Sequence, residues 1–131
     1  MKILMTFLVA VTLSACTSST VIRTGQAYAP ISPDQVQVFF EPPYDYQVLG
    51  LVDAHSDIVF SSHKAEKRAI KRLVEEAAAL GANGVLITFE ADYATQSLDI
   101  NSDQPFNKVD VDFTHLVKAE AILVAPAMAA N

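Results

Sequence analysis

Between residues 63 and 80 the apolar side chains recur at a spacing that only a helix can gather on one face. Ile70, Leu73, Val74, Ala77 and Leu80 stand at i, i+3, i+4, i+7 and i+10, the 3.6-residue period of an amphipathic helix. Ser61 and Ser62 precede the run and can accept from first-turn amides, and Gly81 stands where a helix end favours a left-handed residue. A helix with one apolar stripe has to bury it against another layer. The flanking sequence offers strands for that layer. Residues 46–54 (Tyr-Gln-Val-Leu-Gly-Leu-Val-Asp-Ala) come before the helix, and Val85-Leu86-Ile87-Thr88-Phe89 follows the short link 81–84. Strand, helix and strand in this order predict a right-handed crossover that lays the helix on one face of a sheet.

Further strands are predicted on either side. Residues 36–40 alternate before the proline turn Glu41-Pro42-Pro43-Tyr44-Asp45, which suggests an antiparallel hairpin with 46–54. Residues 91–108 are polar and acidic with Pro105 and read as a long loop. Residues 109–113 alternate like a strand, and 116–124 would close the sheet with Lys118 and Glu120 facing water. The expected fold is α+β, a small sheet of about four to five strands with one amphipathic helix packed on one face, in β-β-α-β-β order. A single domain over 36–125 accounts for it, followed by a frayed tail at 126–131. A chain of 131 residues leaves no room for a second domain.

The N-terminus has a different character. Met1-Lys2 is followed by an apolar run from Ile3 to Leu13 and then by Leu13-Ser14-Ala15-Cys16. Eleven apolar residues are too few for a bilayer, because a spanning helix needs about 20. The run reads as the core of an export signal covering 1–15. Leu13-Ser14-Ala15-Cys16 looks like a bacterial lipobox, in which the cysteine thiol receives diacylglycerol and cleavage falls just before it. Cys16, the only cysteine, is therefore the expected lipidation site, and a covalent lipid there is the only cofactor expected. Two or three acyl chains hold a protein at a membrane far more firmly than one. Thr17 stands where an aspartate would mark retention at the inner membrane, so the resemblance implies the outer membrane, facing the periplasm. Residues 16–35, rich in hydroxyls and turn formers, read as a flexible tether of about 25 Å, with 20–23 as an alternative short edge strand.

The segment Val48-Leu49-Gly50-Leu51-Val52, together with Glu76-Ala77-Ala78-Ala79-Leu80-Gly81-Ala82-Asn83-Gly84-Val85-Leu86-Ile87, resembles the YbjQ-like family. More distantly, the chain is similar to the Rcs envelope-stress sensor lipoproteins, whose disulfide cysteines have no counterpart here. The first resemblance implies heavy-metal binding. The second implies a lipidated outer-membrane protein with a tether and a small α/β domain.

Four groups of residues could carry chemistry. Lys64, Lys67, Arg68, Lys71 and Arg72 form a basic stripe opposite the apolar one, and Glu75 and Glu76 can pair with part of it. With Glu66 they give segment 64–72 a charge of +4, which leaves −11 for the rest of a mature chain that nets −7. Such a stripe is a candidate face for anionic lipid head groups or an acidic envelope protein. The acidic remainder argues against nucleic acid. His55, Asp57 and His63, with His115 elsewhere, are candidate metal ligands by residue type. Asp99, Asn101, Asp103 and Asp110 match positions of a calcium loop, but Gln104 replaces its turn glycine. No nucleophile elbow, His-Glu-x-x-His helix or phosphate-cradling loop occurs. The residues therefore rank a non-catalytic, lipid-anchored module for binding, assembly or stress sensing first. A metal-binding or metal-response lipoprotein comes second and a small hydrolase last.

Overall fold

A computed structural model describes residues 17–59, 61–99 and 108–126. The fold is α+β, with one α-helix against a five-stranded mixed sheet. In chain order the elements are β1 (Thr17–Arg23), a 3-10 turn at Pro33–Gln35, β2 (Gln37–Phe39), β3 (Tyr46–Asp57), α1 (Ser62–Ala79), β4 (Gly84–Asp99) and β5 (Lys108–Val124). Across the sheet the strands run β1-β3-β5-β4-β2, all neighbours antiparallel except β2 and β4.

The helix forms where its caps place it. Ser61 is extended and its hydroxyl accepts from the Lys64 amide, satisfying one of the four orphan donors of the first turn. At the other end the Ala82 amide donates to the Ala77 carbonyl and the Gly81 amide to that of Ala78, a Schellman ending with Gly81 at φ 79°. The buried face is centred one step away from the stripe read in the sequence. Ala65, Ala69, Leu73 and Ala77 are fully buried, whereas Ile70 and Val74 lie half-buried on the flank. Small residues face the helix from the sheet as well, among them Ala54, Ala119 and Ala121, alongside Val52, Val85 and Val117. Alanine on both layers lets the helix lie close to the strands. Leu73 and Leu49 are among the few large side chains that fill the interior.

Several expectations change. Thr17–Arg23, composed like a tether, is an edge strand paired with β3 from Thr17↔Ser56 to Arg23↔Gly50, which takes up the alternative of a short edge strand at 20–23 and extends it to Thr17. Beyond it, Tyr28 and Val36 pack on the core and the Ile31 amide donates to the Ala78 carbonyl, so the segment after β1 is tied to the end of α1. The flexible 16–35 tether is thus replaced by structure from Thr17 onward, while Cys16 lies outside the described residues. The proline turn does not close a hairpin either. β2 pairs parallel to β4 at the far edge, and residues 40–45 carry the chain back across two strands to β3. β3 and β4 run in the same direction as the crossover requires, but β5 lies between them.

The acidic stretch read as a loop belongs largely to a long hairpin. β4 runs on to Asp99, and β5 is continuous where two strands were expected, with the ladder reaching Asp99↔Lys108. Tyr93, Val111 and Phe113 are substantially exposed on this ribbon; residues 109–113 alternate as expected, but the β4 half from Ala91 to Asp99 is too polar to announce itself as their partner. The region 100–107 and the tail from 127 lie outside the described residues. Asn83 completes the other end of the sheet. Its amide nitrogen donates to the Val124 carbonyl at 3.1 Å, and its oxygen accepts from the Val124 amide at 2.7 Å.

Candidate functional site

The N-terminal end of β1 meets the middle of α1, from Arg68 to Glu76, at one corner of the domain. The register with β3 turns Thr17, Ser19 and Val21 toward the helix, opposite Ser56, Ala54 and Val52. Thr17, Arg68, Lys71, Arg72 and Glu75 line a surface groove there. Ser19 donates to Glu76 Oε1 at 2.8 Å and accepts from Arg72 Nε at 3.0 Å, while Arg72 Nη2 lies 2.7 Å from the same carboxylate oxygen. One turn earlier, Arg68 Nε donates to Ser56 Oγ at 2.9 Å and Nη2 to the Asp57 carbonyl at 2.6 Å.

The five cations of the stripe therefore divide into two kinds. Arg68 and Arg72 lean onto strands β3 and β1 and join helix to sheet through planar, multi-donor contacts that suit arginine better than lysine. Lys67 and Lys71 are exposed, one turn apart, and pair with no acidic side chain among the described residues. Lys64 is exposed but engaged in an interaction of its own. The expected pairing with Glu75 and Glu76 is made by Arg72, at 3.4 and 2.7 Å, and Lys71 takes no part in it.

A consequence follows for the edge strand. Arg72→Ala removes the cation that Ser19 and Glu76 share, and the site is half-exposed, so the expected loss is about 1 kcal/mol. Hydrogen exchange should show it selectively. The amides of Thr17–Arg23 are expected to exchange faster while those of β5 keep their protection. Equal acceleration in both strands would mean that the contact does not hold β1 in particular.

The candidate metal ligands are dispersed. His55 and Asp57 face the side of the sheet away from α1, His55 beside Ser18 and Leu116, whereas His63 lies in the first helical turn with Nδ1 3.4 Å from Glu66. Among the described residues no three histidine, cysteine, aspartate or glutamate side chains gather around a common point. The calcium-loop candidates fare no better. The backbones of Asp99 and Asp110 are rungs of the β4–β5 ladder, so strands and not helices flank the segment, and Asn101 and Asp103 lie outside the described residues.

A partly buried polar group that the sequence did not bring together lies on the helix side of the sheet. His115 is 7% exposed, directly opposite Ser56 across the ladder, with Nδ1 2.5 Å from Asp92 Oδ1. Its Nε2 is buried and has no partner among the described residues. Serine, histidine and aspartate invite comparison with a hydrolytic triad. Ser56 is 0% exposed and its hydroxyl already accepts from Arg68, so it presents no nucleophile to a substrate. The group is a polar cluster across β3, β5 and β4, joined to α1 through Arg68 and open to solvent at the Asp92 carboxylate. Only the strand register reveals it, because the three residues are far apart in sequence.

On the opposite face of the sheet no described helix covers the strands, and only its β2 side, at Leu86 and Ile122, is buried. Thr20 and Ile22 of β1, Leu51 and Asp53 of β3, Thr88 of β4 and Lys118 of β5 frame a shallow depression there, with Ile22 and Leu51 largely exposed. No helix of the described residues is long and apolar enough to cross a membrane.

No family model matches the chain, and no curated protein matches it. Among solved structures, the chain is similar to the Francisella virulence factor FvfA in an orthorhombic crystal form. The TM-score is 0.54 at 16% identity, over 82% of this chain and 97% of that one. At that identity the likeness is one of fold: the domain shares the architecture of FvfA across nearly the whole of the latter.

Proposed function

We propose that the chain is a lipid-anchored envelope lipoprotein of the outer membrane, facing the periplasm, that serves as a non-catalytic module for binding, assembly or stress sensing. The observation that carries this reading is the position of Leu13-Ser14-Ala15-Cys16. It follows an apolar run too short to span a bilayer and directly precedes the first residue of β1. A thiol so placed would be a liability in an oxidising compartment, and acylation removes it. The small α+β domain supports a binding role through what it exposes: a basic corner beside the anchor and, on the other sheet face, the depression around Ile22 and Leu51.

The test is the chemical state of residue 16 in the protein isolated from cells that express it from its own leader. Mature protein beginning at acylated Cys16 and recovered with the outer membrane is the expected result. Cys16→Ser is expected to abolish both the acyl mass and the membrane fractionation. A bare thiol at Cys16, or a product that still carries Met1, would overturn the reading.

A further inference from the structure

We propose that the groove between Thr17 and the basic side of α1, formed with Arg68, Lys71 and Arg72 and extended by Lys67, seats the phosphate head groups of an anionic bilayer and holds the domain flush against it. This rests on the lipid-anchor reading above. The new element is distance. A flexible tether of about 25 Å would carry the lysines well beyond the ~8 Å Debye length at physiological salt, where a charged surface exerts little pull. The chain has no such slack. Thr17 is already paired with Ser56 and lines the groove, and the α-carbon of Cys16 is only about 3.8 Å from that of Thr17. Any acyl chains on Cys16 therefore enter the bilayer beside the groove.

Charge decides which way the domain lies once it is held so close. Segment 64–72 carries +4 and the rest of the mature chain −11, so an anionic surface attracts one corner and repels the remainder. Within the groove Glu75 and Glu76 offset Arg72, while Arg68 keeps its charge but is held in place by neutral groups, the Ser56 hydroxyl and the Asp57 backbone carbonyl. Lys67 and Lys71 are thus the mobile, exposed cations that add to the fixed charge of Arg68, each worth about a fivefold gain near such a surface. An acidic protein would satisfy the same chemistry. The bilayer is favoured because the anchor presents it permanently at the groove, at an effective concentration that a diffusing partner does not reach.

Lysine footprinting of the lipidated protein separates the possibilities. The protein is reconstituted in vesicles of phosphatidylcholine, or of phosphatidylcholine with one-third phosphatidylglycerol, and labelled with a water-soluble amine reagent. Lys118, exposed on the opposite sheet face, serves as the internal reference. Lys67 and Lys71 are expected to label about fivefold more slowly than Lys118 when phosphatidylglycerol is present, and to recover in about 1 M salt, where the Debye length is about 3 Å. Intact mass measured first reports the anchor. Acylated protein whose Lys67 and Lys71 label as in phosphatidylcholine alone overturns the seat, leaves the anchor standing and turns the face over to an acidic protein partner. A bare thiol at Cys16 overturns both.

Discussion

Leu73→Ala is expected to remove about 3 kcal/mol of stability, the larger part of what holds a domain of this size together if its total lies toward the low end of the usual 5–15 kcal/mol. Leu73 is 0% exposed and is the one large side chain on the buried line Ala65, Ala69, Leu73, Ala77. Truncating it leaves a void that its neighbours cannot close, because the residues around it are alanines and valines held on a rigid sheet. The comparison that makes the result informative is Ile70→Ala. Ile70 belongs to the stripe visible in the sequence but is only half-buried, so its truncation is expected to cost about 1 kcal/mol. Urea denaturation reads both, as a fall in the midpoint at unchanged slope. Equal losses at the two positions would place the helix one step rotated from the orientation that buries the line Ala65, Ala69, Leu73, Ala77.

That pair of residues also marks how far the sequence could be read. The existence and ends of α1 were legible, because Ser61, Gly81 and the 3.6-residue period are local signals that tertiary structure had no reason to override. Its rotation was not. Counting apolar residues weights Ile70 and Val74 as heavily as Leu73, whereas the sheet selects the alanine line since small residues permit the closest approach. The strands followed the same division. Val85 to Phe89 was visible as a β-rich run, but its partners were not, since pairing is set by register between segments far apart in the chain. The link 41–45 looked like a hairpin turn because prolines punctuate chains whether they reverse locally or cross a sheet.

The candidate site shows the same limit more sharply. The basic stripe was legible as a spacing, but its separation into two arginines that clamp the strands and two lysines left outside depends on β1 being a strand. Composition argued the other way, since Thr-Ser-Ser-Thr reads as a linker until a neighbouring strand supplies hydrogen bonds for its backbone. Edge strands need apolar residues on one side at most, and Val21 is partly exposed even there. The Asp92–His115 pair left no trace in the sequence at all, because nothing local relates Asp92 to His115 or Ser56.

The second large effect belongs to the end of the helix. Gly81→Ala is expected to cost about 2–4 kcal/mol, from two sources that can be separated. The first is conformational: at φ 79° a side chain meets the following carbonyl, a penalty of about 1–2 kcal/mol for an ordinary residue. The second is steric. A β-carbon there would lie 2.6 Å from Tyr28 Cβ and 2.7 Å from the Ala29 carbonyl oxygen, so the segment leading from β1 must move off the helix. That segment is joined to α1 by the Ile31–Ala78 hydrogen bond, and displacing it uncovers the core that Tyr28 shields. Gly81→Asn isolates the second source, because asparagine tolerates the left-handed region yet carries the same β-carbon. It is expected to recover no more than about 1 kcal/mol of the loss. A near-complete rescue by asparagine would show that Tyr28 and Ala29 yield freely, and that the stretch between β1 and β2 is held to the domain far more loosely than its contacts imply.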